Sequence, residues 1–298
     1  MHPAKPDRSR RIRIDDHEVV TYEYGDGEDV LFLLNGGPGL PCNYLRDPLL
    51  GMVSDGLRVV TYDQLGCGAS DKPKDKSLWT IKRYVEEVEA VRQALGLGQL
   101  HLLGHSWGGW LAIEYALTYL DSIKSLVLSN TCGDMPHLIG ELERHRGALG
   151  PETVAMMQRH EAEGTFEHEE YKAAITLLNY RHVLRLADWP ESVHASLDDW
   201  NMDVYGTMQG PNEFLYTGNL KTWNRIDDMA RVTVPSLVLV GQHDELTPAC
   251  ALRMHNALPN SEIKVFPNSS HMPFYEEPEA YFATLSGFLA KHGVAPVA

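Results

Sequence analysis

Short apolar runs alternate with helical patterns along most of this chain, and this alternation restricts its fold more than any other feature. The runs lie at residues 29–37, 57–64, 100–106, 124–131, 236–244 and 262–271. Most are continuously apolar, as in strands that are buried on both faces of a parallel sheet, and helical patterns at 77–97 and 108–120 separate some of them. The alternation predicts βαβ units and a doubly wound α/β sheet. Residues 11–29 instead alternate and contain a Gly-Asp-Gly turn, which predicts an antiparallel hairpin at one edge.

The middle of the chain departs from the alternation. Between residues 134 and 230 no buried-strand run occurs, and amphipathic helical patterns such as 151–164 and 168–186 take its place. We therefore predict two domains, a core formed by 1–133 and 231–298 and a helical cap formed by 134–230. The predicted cap carries nine of the fifteen net negative charges.

Composition and charge exclude several classes of function. The 298 residues suffice for one large α/β domain with an insertion, or for two small domains. The net charge of −15 argues against a nucleic-acid or anionic-membrane surface, because neutralising phosphates requires clustered Lys and Arg. It is compatible with a cationic or neutral small substrate. The four cysteines form no CxxC pair, which predicts reduced thiols and neither a disulfide framework nor a metal site.

The sequence shows no targeting or membrane-spanning segment. The basic N-terminal residues 1–16 are not followed by an apolar run, so no secretory signal is predicted. No stretch approaches the uninterrupted apolar length that a membrane span requires. We expect a soluble, cytoplasmic protein, whose oligomeric state the sequence leaves open.

The segment Gly104-His-Ser-Trp-Gly-Gly109 follows a predicted strand and opens a predicted helix. It fits the G-x-S-x-G pattern of a nucleophile elbow, whose glycines permit a sharp strand-to-helix turn that presents Ser106 at the sheet edge. The N-terminus of the following helix points backbone N–H groups at developing negative charge. Ser106 is therefore the predicted nucleophile.

A serine nucleophile needs a histidine base and an orienting acid, which follow in the order Ser, Asp or Glu, His in α/β-hydrolases. Asp244 ends a predicted strand and His271 follows the last one, so we assign them as acid and base. His243 is a competing base and Glu245 a competing acid, because both adjoin Asp244.

An oxyanion hole is predicted after the first parallel strand, in Asn35-Gly-Gly-Pro-Gly39. Glycine backbone can approach a substrate closely, and a residue before proline is biased towards extended geometry. The N–H groups of Gly37 and of Trp107, the residue after the nucleophile, are the candidate donors.

Six motifs together resemble the proline iminopeptidase family of α/β-hydrolases (peptidase family S33), especially its branch with the tricorn-interacting aminopeptidase and the L-amino acid amidases. They are NGGPG at 35–39, YDQLGCGASD at 62–71, GHSWGG at 104–109, GPNEF at 210–214, GQHDELTP at 241–248 and SSHMPFYEEPEAY at 269–281. The resemblance extends along nearly the whole chain. It implies an α/β-hydrolase fold, with a mostly parallel central sheet flanked by helices and a helical cap inserted.

The resemblance also implies the same triad and oxyanion donors, and a site for the substrate's free α-amino group at Glu213 and Glu245. Two carboxylates beside one ammonium group can both stay ionised. The chain departs from the family pattern at Asn35, where a histidine is usual, and at His105, where a small residue is common. Both changes weaken a strict proline preference more than they weaken hydrolysis, and we interpret His105 as a packed, structural residue.

We therefore expect a cofactor-independent serine hydrolase that cleaves an N-terminal amino acid from short peptides or splits L-amino acid amides. A carboxylesterase of neutral small esters is the alternative, and a non-catalytic ligand-binding protein is a third hypothesis. The preferred amino acid is left open. Four aromatic residues of the predicted cap either line the pocket or belong to the core: Trp189, Trp200, Tyr205 and Trp223.

Overall fold

The computed structural model describes residues 5–294. Residues 1–4, where the N-terminal segment without a predicted secretory signal begins, and residues 295–298 lie outside it. The described chain forms one sheet of eight strands in the order β1-β2-β4-β3-β5-β6-β7-β8. The strands are β1 (Arg8–Ile14), β2 (His17–Tyr24), β3 (Asp29–Leu34), β4 (Leu57–Asp63), β5 (Leu100–His105), β6 (Ile123–Ser129), β7 (Ser236–Gly241) and β8 (Ser261–Phe266).

Strands β3 to β8 run parallel, and β1 and β2 add an antiparallel hairpin at one edge. The predicted hairpin is therefore present, but its turn is wrong. The chain reverses at Asp15 and Asp16, with Asp15 in the left-handed region at φ 53°, which Asp tolerates better than most residues. The Gly-Asp-Gly segment follows β2 and leads into β3.

The parallel strands are continuously apolar because helices cover both faces of the sheet. All six residues of β5 and of β7 are buried. The edge strand β8 instead alternates between half-buried and exposed residues up to the buried Phe266 at its end. Because β3, β5, β6 and β7 are parallel neighbours, their carboxyl ends lie at the same edge of the sheet. In open α/β folds, ligands bind at this edge.

Helices follow the strands in the predicted alternation, and five of them separate β6 from β7. The helices are α1 (Asn43–Leu49), α2 (Ile81–Ala94), α3 (Trp107–Thr118), α4 (Met135–Gly147), α5 (Pro151–Glu163), α6 (Glu169–His182), α7 (Glu191–Asp198), α8 (Met202–Met208), α9 (Pro248–Ala257), α10 (Pro273–Glu276) and α11 (Pro278–Lys291). Short 3₁₀ turns lie at Leu50–Met52, Lys76–Leu78, Leu120–Ser122 and Asp227–Arg231.

The inserted segment, residues 134–230, contains α4 to α8 and no strand of the sheet. It stays in contact with the rest of the chain: α7 packs against α1, and Trp223 Nε1 donates to Glu114 Oε1 at 2.6 Å. Among residues 5–294, no helix combines the length and the apolar character needed to cross a membrane. All four cysteines are free and buried.

Candidate active site

Ser106 lies in a sharp turn between β5 and α3. Its backbone has φ 56° and ψ −126°, a conformation that non-glycine residues adopt only where the surroundings enforce it. Gly104 and Gly108 allow the turn, because a Cβ on Gly104 would lie 2.2 Å from the Gly108 carbonyl oxygen and one on Gly108 2.0 Å from that of Leu34. The turn therefore needs glycine on both sides of Ser106.

His271 and Asp244 meet at the same sheet edge. His271 Nδ1 lies 2.8 Å from Asp244 Oδ1, so a proton on Nδ1 is held by the carboxylate. The backbone N–H of Leu246 donates to Asp244 Oδ1 at 2.9 Å, and Asn130 Nδ2 donates to Oδ2 at 2.7 Å. Burial acts to lower the pKa of His271, but the charge and hydrogen bond of Asp244 outweigh it, and the pKa is raised.

The two competing residues are placed differently. The backbone of His243 accepts a hydrogen bond from His182 Nδ1 at 2.9 Å, and His243 does not line the cavity that holds His271. Glu245 does not contact Nδ1 of His271; its Oε1 lies 3.7 Å from the other ring nitrogen, Nε2. The geometry thus brings together His271 and Asp244, with Glu245 on the reactive side of the imidazole.

The loop after β3 brings Gly36 and Gly37 to Ser106. A Cβ on Gly36 would lie 2.9 Å from that of Ser106. The expectation of extended backbone at Gly37 is wrong, because its φ is 115°, in a region that favours glycine, and the bond to Pro38 is cis. Within the described chain, the N–H groups of Gly37 and Trp107 donate to no protein acceptor.

Asn35 stabilises this loop through hydrogen bonds. Its Nδ2 donates to the carbonyl oxygen of Leu40 at 2.6 Å, and Gln64 Nε2 donates to the Asn35 carbonyl at 3.2 Å. Gln64 Oε1 in turn accepts from the indole N–H of Trp107 at 2.9 Å. Asn35 therefore ties the glycine loop to itself and, through Gln64, to the start of α3.

His105 is buried between the serine turn and the His271 loop, as its structural interpretation predicts. Its Nδ1 lies 2.8 Å from Tyr44 Oη and its Nε2 lies 2.8 Å from the carbonyl oxygen of His271. Burial is the main cause that lowers the pKa of His105 well below its usual value, and the neighbouring His271 lowers it further. The imidazole is consequently neutral.

Glu213 and Glu245 are two carboxylates beside His271. Glu213 is half-buried and accepts from Gln209 Nε2 at 2.7 Å. Glu245 is buried, and within the described chain neither of its oxygens has a hydrogen-bond partner. Burial, the charge of Glu213 and that of Asp244 raise the pKa of Glu245 well above its usual value, and burial raises that of Glu213 despite the opposing effect of His271.

One cavity joins several of these groups, whereas Asp244, Glu245 and Trp107 do not line it. It holds about 600 Å³ of space, part of it open to solvent, and Gly37, Ser106, Glu213 and His271 share its wall. Much of the remaining wall is apolar and includes Leu40, Val183, Trp189, Val193, Leu197, Trp200 and Met272. Such a wall with a few convergent polar groups is typical of a small-molecule site.

Two of the four aromatic candidates, Trp189 and Trp200, line the cavity. The other two belong to the packing around it. The Tyr205 ring packs against Trp200 with centroids 4.3 Å apart, and Trp223 packs against Trp110 at 6.2 Å.

Sequence reasoning missed Asn130, Gln209 and Tyr44. Asn130 follows β6, and a polar residue at the carboxyl end of a strand next to β5 is the same signal that identified Asp244. Gln209 and Tyr44 carry no such signal, because Tyr44 lies in α1 and Gln209 directly follows α8, so neither residue ends a strand and each reaches the site through helix packing.

One group outside the cavity has the composition of a metal site. His160, His168 and Glu170 present ligand atoms within 4.8 Å of one another. The guanidinium of Arg159 lies 3.4 Å from His160 Nε2 and 3.2 Å from Glu170 Oε2, a cation already placed among these ligand atoms.

Comparison with known proteins shows which family the chain belongs to, and this family agrees with the geometry of the site. Residues 29–278 match the family described as alpha/beta hydrolase fold. Proline iminopeptidase of Heyndrickxia coagulans is 39% identical over 268 residues, 90% of this chain and 92% of that protein. Proline iminopeptidase of Saccharolobus solfataricus is 38% identical over 261 residues, 87% of this chain and 84% of that protein. The chain belongs to the α/β-hydrolase fold family and, within it, to the proline iminopeptidase family.

Solved structures agree with this membership. The crystal structure of VinJ is 33% identical, covers 97% of this chain and all of that one, and superposes with a TM-score of 0.93. Proline iminopeptidase of Mycobacterium smegmatis is 35% identical, covers 96% and 98%, and gives 0.87. The predicted fold, family and enzyme class, a serine hydrolase of the aminopeptidase type, are therefore confirmed.

Proposed function

We propose that this enzyme removes an N-terminal amino acid from short peptides or hydrolyses L-amino acid amides, through an acyl-enzyme on Ser106. The observation that carries the proposal is the pair of carboxylates beside His271, Glu213 and the buried Glu245, whose oxygens accept no hydrogen bond from the part of the chain that the structure describes. An unpaired buried carboxylate is unfavourable unless a cation joins it. The ammonium group of a free N-terminus supplies that charge.

In the proposed mechanism, Ser106 attacks the substrate carbonyl while His271 Nε2 accepts the serine proton. Asp244 holds the opposite nitrogen, Nδ1, at 2.8 Å and stabilises the imidazolium that forms. The N–H groups of Gly37 and Trp107 bind the oxyanion. His271 then protonates the leaving amine, and water releases the acyl group by the same route.

We further propose that residues 134–230 act as a cap over a core of 1–133 and 231–298. Helices α6 and α7, the segments that follow them and the loop after α8 supply much of the wall of the cavity that holds Ser106, including Trp189, Trp200 and Glu213. We also propose a cytoplasmic protein that binds no nucleic acid, on the grounds of its net charge of −15.

The decisive experiment compares amino acid p-nitroanilides with and without an N-acetyl group. We expect Glu213→Gln and Glu245→Gln each to lower kcat/KM for the free amine by about 30-fold or more, since a buried charge pair loses one partner. Hydrolysis of neutral esters should change little. Glu163→Gln, an exposed charge in the same segment, is the matched control.

Equal wild-type rates on blocked and free substrates would overturn amine recognition and favour the carboxylesterase. Labelling by a fluorophosphonate tests the nucleophile separately: the wild type should be labelled and Ser106→Ala should not.

A further inference from the structure

Four groups form a continuous hydrogen-bonded chain between the two loops that flank Ser106. The carbonyl oxygen of His271 lies 2.8 Å from His105 Nε2. His105 Nδ1 lies 2.8 Å from Tyr44 Oη, and the backbone N–H of Gly36 donates to that same Oη at 2.6 Å. The chain thus runs from the loop of the catalytic histidine to the loop of the oxyanion hole.

The carbonyl group at one end of this hydrogen-bonded chain and the N–H group at the other determine which group donates and which accepts in each hydrogen bond. A carbonyl oxygen only accepts, so His105 Nε2 carries the proton that it donates to His271. A neutral imidazole then has a bare Nδ1, which must accept from the hydroxyl of Tyr44. Tyr44 has given its only proton, so its oxygen is free to accept from the N–H of Gly36.

Burial keeps both side chains in the required neutral form. It lowers the pKa of His105 far below neutrality, and it raises the pKa of Tyr44 far above. The imidazole of His105 is also enclosed by aromatic rings, with centroids 4.6 Å from His271 and 5.1 Å from Phe274. Neither group can rotate away without losing these contacts.

We propose that His105 and Tyr44 are positioning residues that hold the His271 loop and the oxyanion loop in one frame. Because Tyr44 occupies the N–H of Gly36, the N–H of Gly37 is the one left to face the substrate. The inference rests on the proposed roles of Ser106, His271 and Gly37. It concerns the geometry of the chemical step and not recognition of the amine.

The first test is Tyr44→Phe, which keeps the ring and removes the hydroxyl. We expect kcat to fall by about 10- to 100-fold, because small displacements of reacting groups have effects of this size. KM for a free-amine substrate should change less than about threefold, because the proposed amine site is intact. Tyr115→Phe removes an equally buried hydroxyl, bonded to Glu89, and should leave kcat within about twofold.

The second test asks whether His105 and Tyr44 act as a unit. His105→Gln keeps a donor for the His271 carbonyl and should retain more activity than His105→Leu. The double variant Tyr44→Phe/His105→Leu should be no slower than His105→Leu alone.

A kcat for Tyr44→Phe equal to that of Tyr115→Phe, or effects of Tyr44→Phe and His105→Leu that multiply, would overturn the proposal. If His105→Leu does not fold, the comparison of Tyr44→Phe with Tyr115→Phe decides. Wild-type rates on free and N-acetylated substrates report the proposed function, and fluorophosphonate labelling reports the nucleophile, so the failure of either is seen separately from failure of the hydrogen-bonded chain.

Discussion

At the scale of single residues, the environment of Glu245 is unfavourable for a charged carboxylate. It is buried, its oxygens accept no hydrogen bond from residues 5–294, and its pKa is raised well above the usual value by burial and by Glu213 and Asp244. Its pKa in the folded state therefore exceeds that in the unfolded state. Stability should fall as pH rises from the unfolded pKa, near 4.3, through the folded one, because the folded state binds more protons in that window.

Glu245→Gln should consequently stabilise the protein at pH 8 by about 1–3 kcal/mol, because its neutral amide avoids the desolvation penalty of a buried, ionised carboxylate. The difference should become small near pH 3, about one pH unit below the unfolded-state pKa, where the carboxyl is largely protonated in both states. Urea unfolding at the two pH values measures it, with Glu163→Gln as the control. A variant less stable than the wild type at pH 8 would contradict this account.

The same raised pKa predicts that substrate binding releases a proton. The raised pKa favours the protonated carboxyl of Glu245 in the free site, and an ammonium group favours the ionised form. Binding of an amino acid amide to Ser106→Ala at pH 7 should release up to about one proton per site. Calorimetry in buffers of different ionisation enthalpy counts the protons.

Adding Glu245→Gln to that variant should abolish proton release. Release that persists unchanged would assign the proton to another group. For the wild type, KM should decrease as pH rises through the raised pKa, until the substrate amine itself loses its proton.

At the scale of elements, the serine turn depends on how closely β3, β5 and α3 approach. Gly108→Ala would place a Cβ 2.0 Å from the Leu34 carbonyl oxygen, so we expect kcat to fall by at least about 100-fold through displacement of Ser106. Gly140→Ala, in α4, meets open space and should stabilise the protein by about 0.5–1 kcal/mol with activity unchanged. Steady-state kinetics and thermal unfolding of both variants test the contrast.

The arrangement of strands and helices also explains which parts of the fold and of the site the sequence could predict. Strands buried on both faces leave continuous apolar runs, and the chemistry at their carboxyl ends, Ser106, Asp244 and His271, follows from position in the sequence. The turn at Asp15 was missed because a glycine-rich segment nearby gave a stronger turn signal. Tyr44 could not be found, since its role depends on how α1 packs beside β5, which no local pattern encodes.

At the scale of the whole molecule, charge is unevenly distributed, with the inserted segment holding nine of the fifteen net negative charges. This segment also supplies Glu213 and much of the cavity wall. A cationic substrate should therefore be attracted before it makes contact, and salt should weaken that attraction, because the Debye length is about 10 Å at 0.1 M and about 3 Å at 1 M.

We expect kcat/KM for a free-amine substrate to decrease as ionic strength rises from 0.01 to about 0.5 M, while the rate for its N-acetyl analogue stays constant. Neutralising three exposed acids of the segment, in Glu163→Gln/Glu167→Gln/Glu169→Gln, should make the dependence shallower. At high salt the variant and the wild type should converge, because the short-range contacts with Glu213 and Glu245 are unchanged. An identical salt dependence of variant and wild type would show that the attraction arises within the cavity alone.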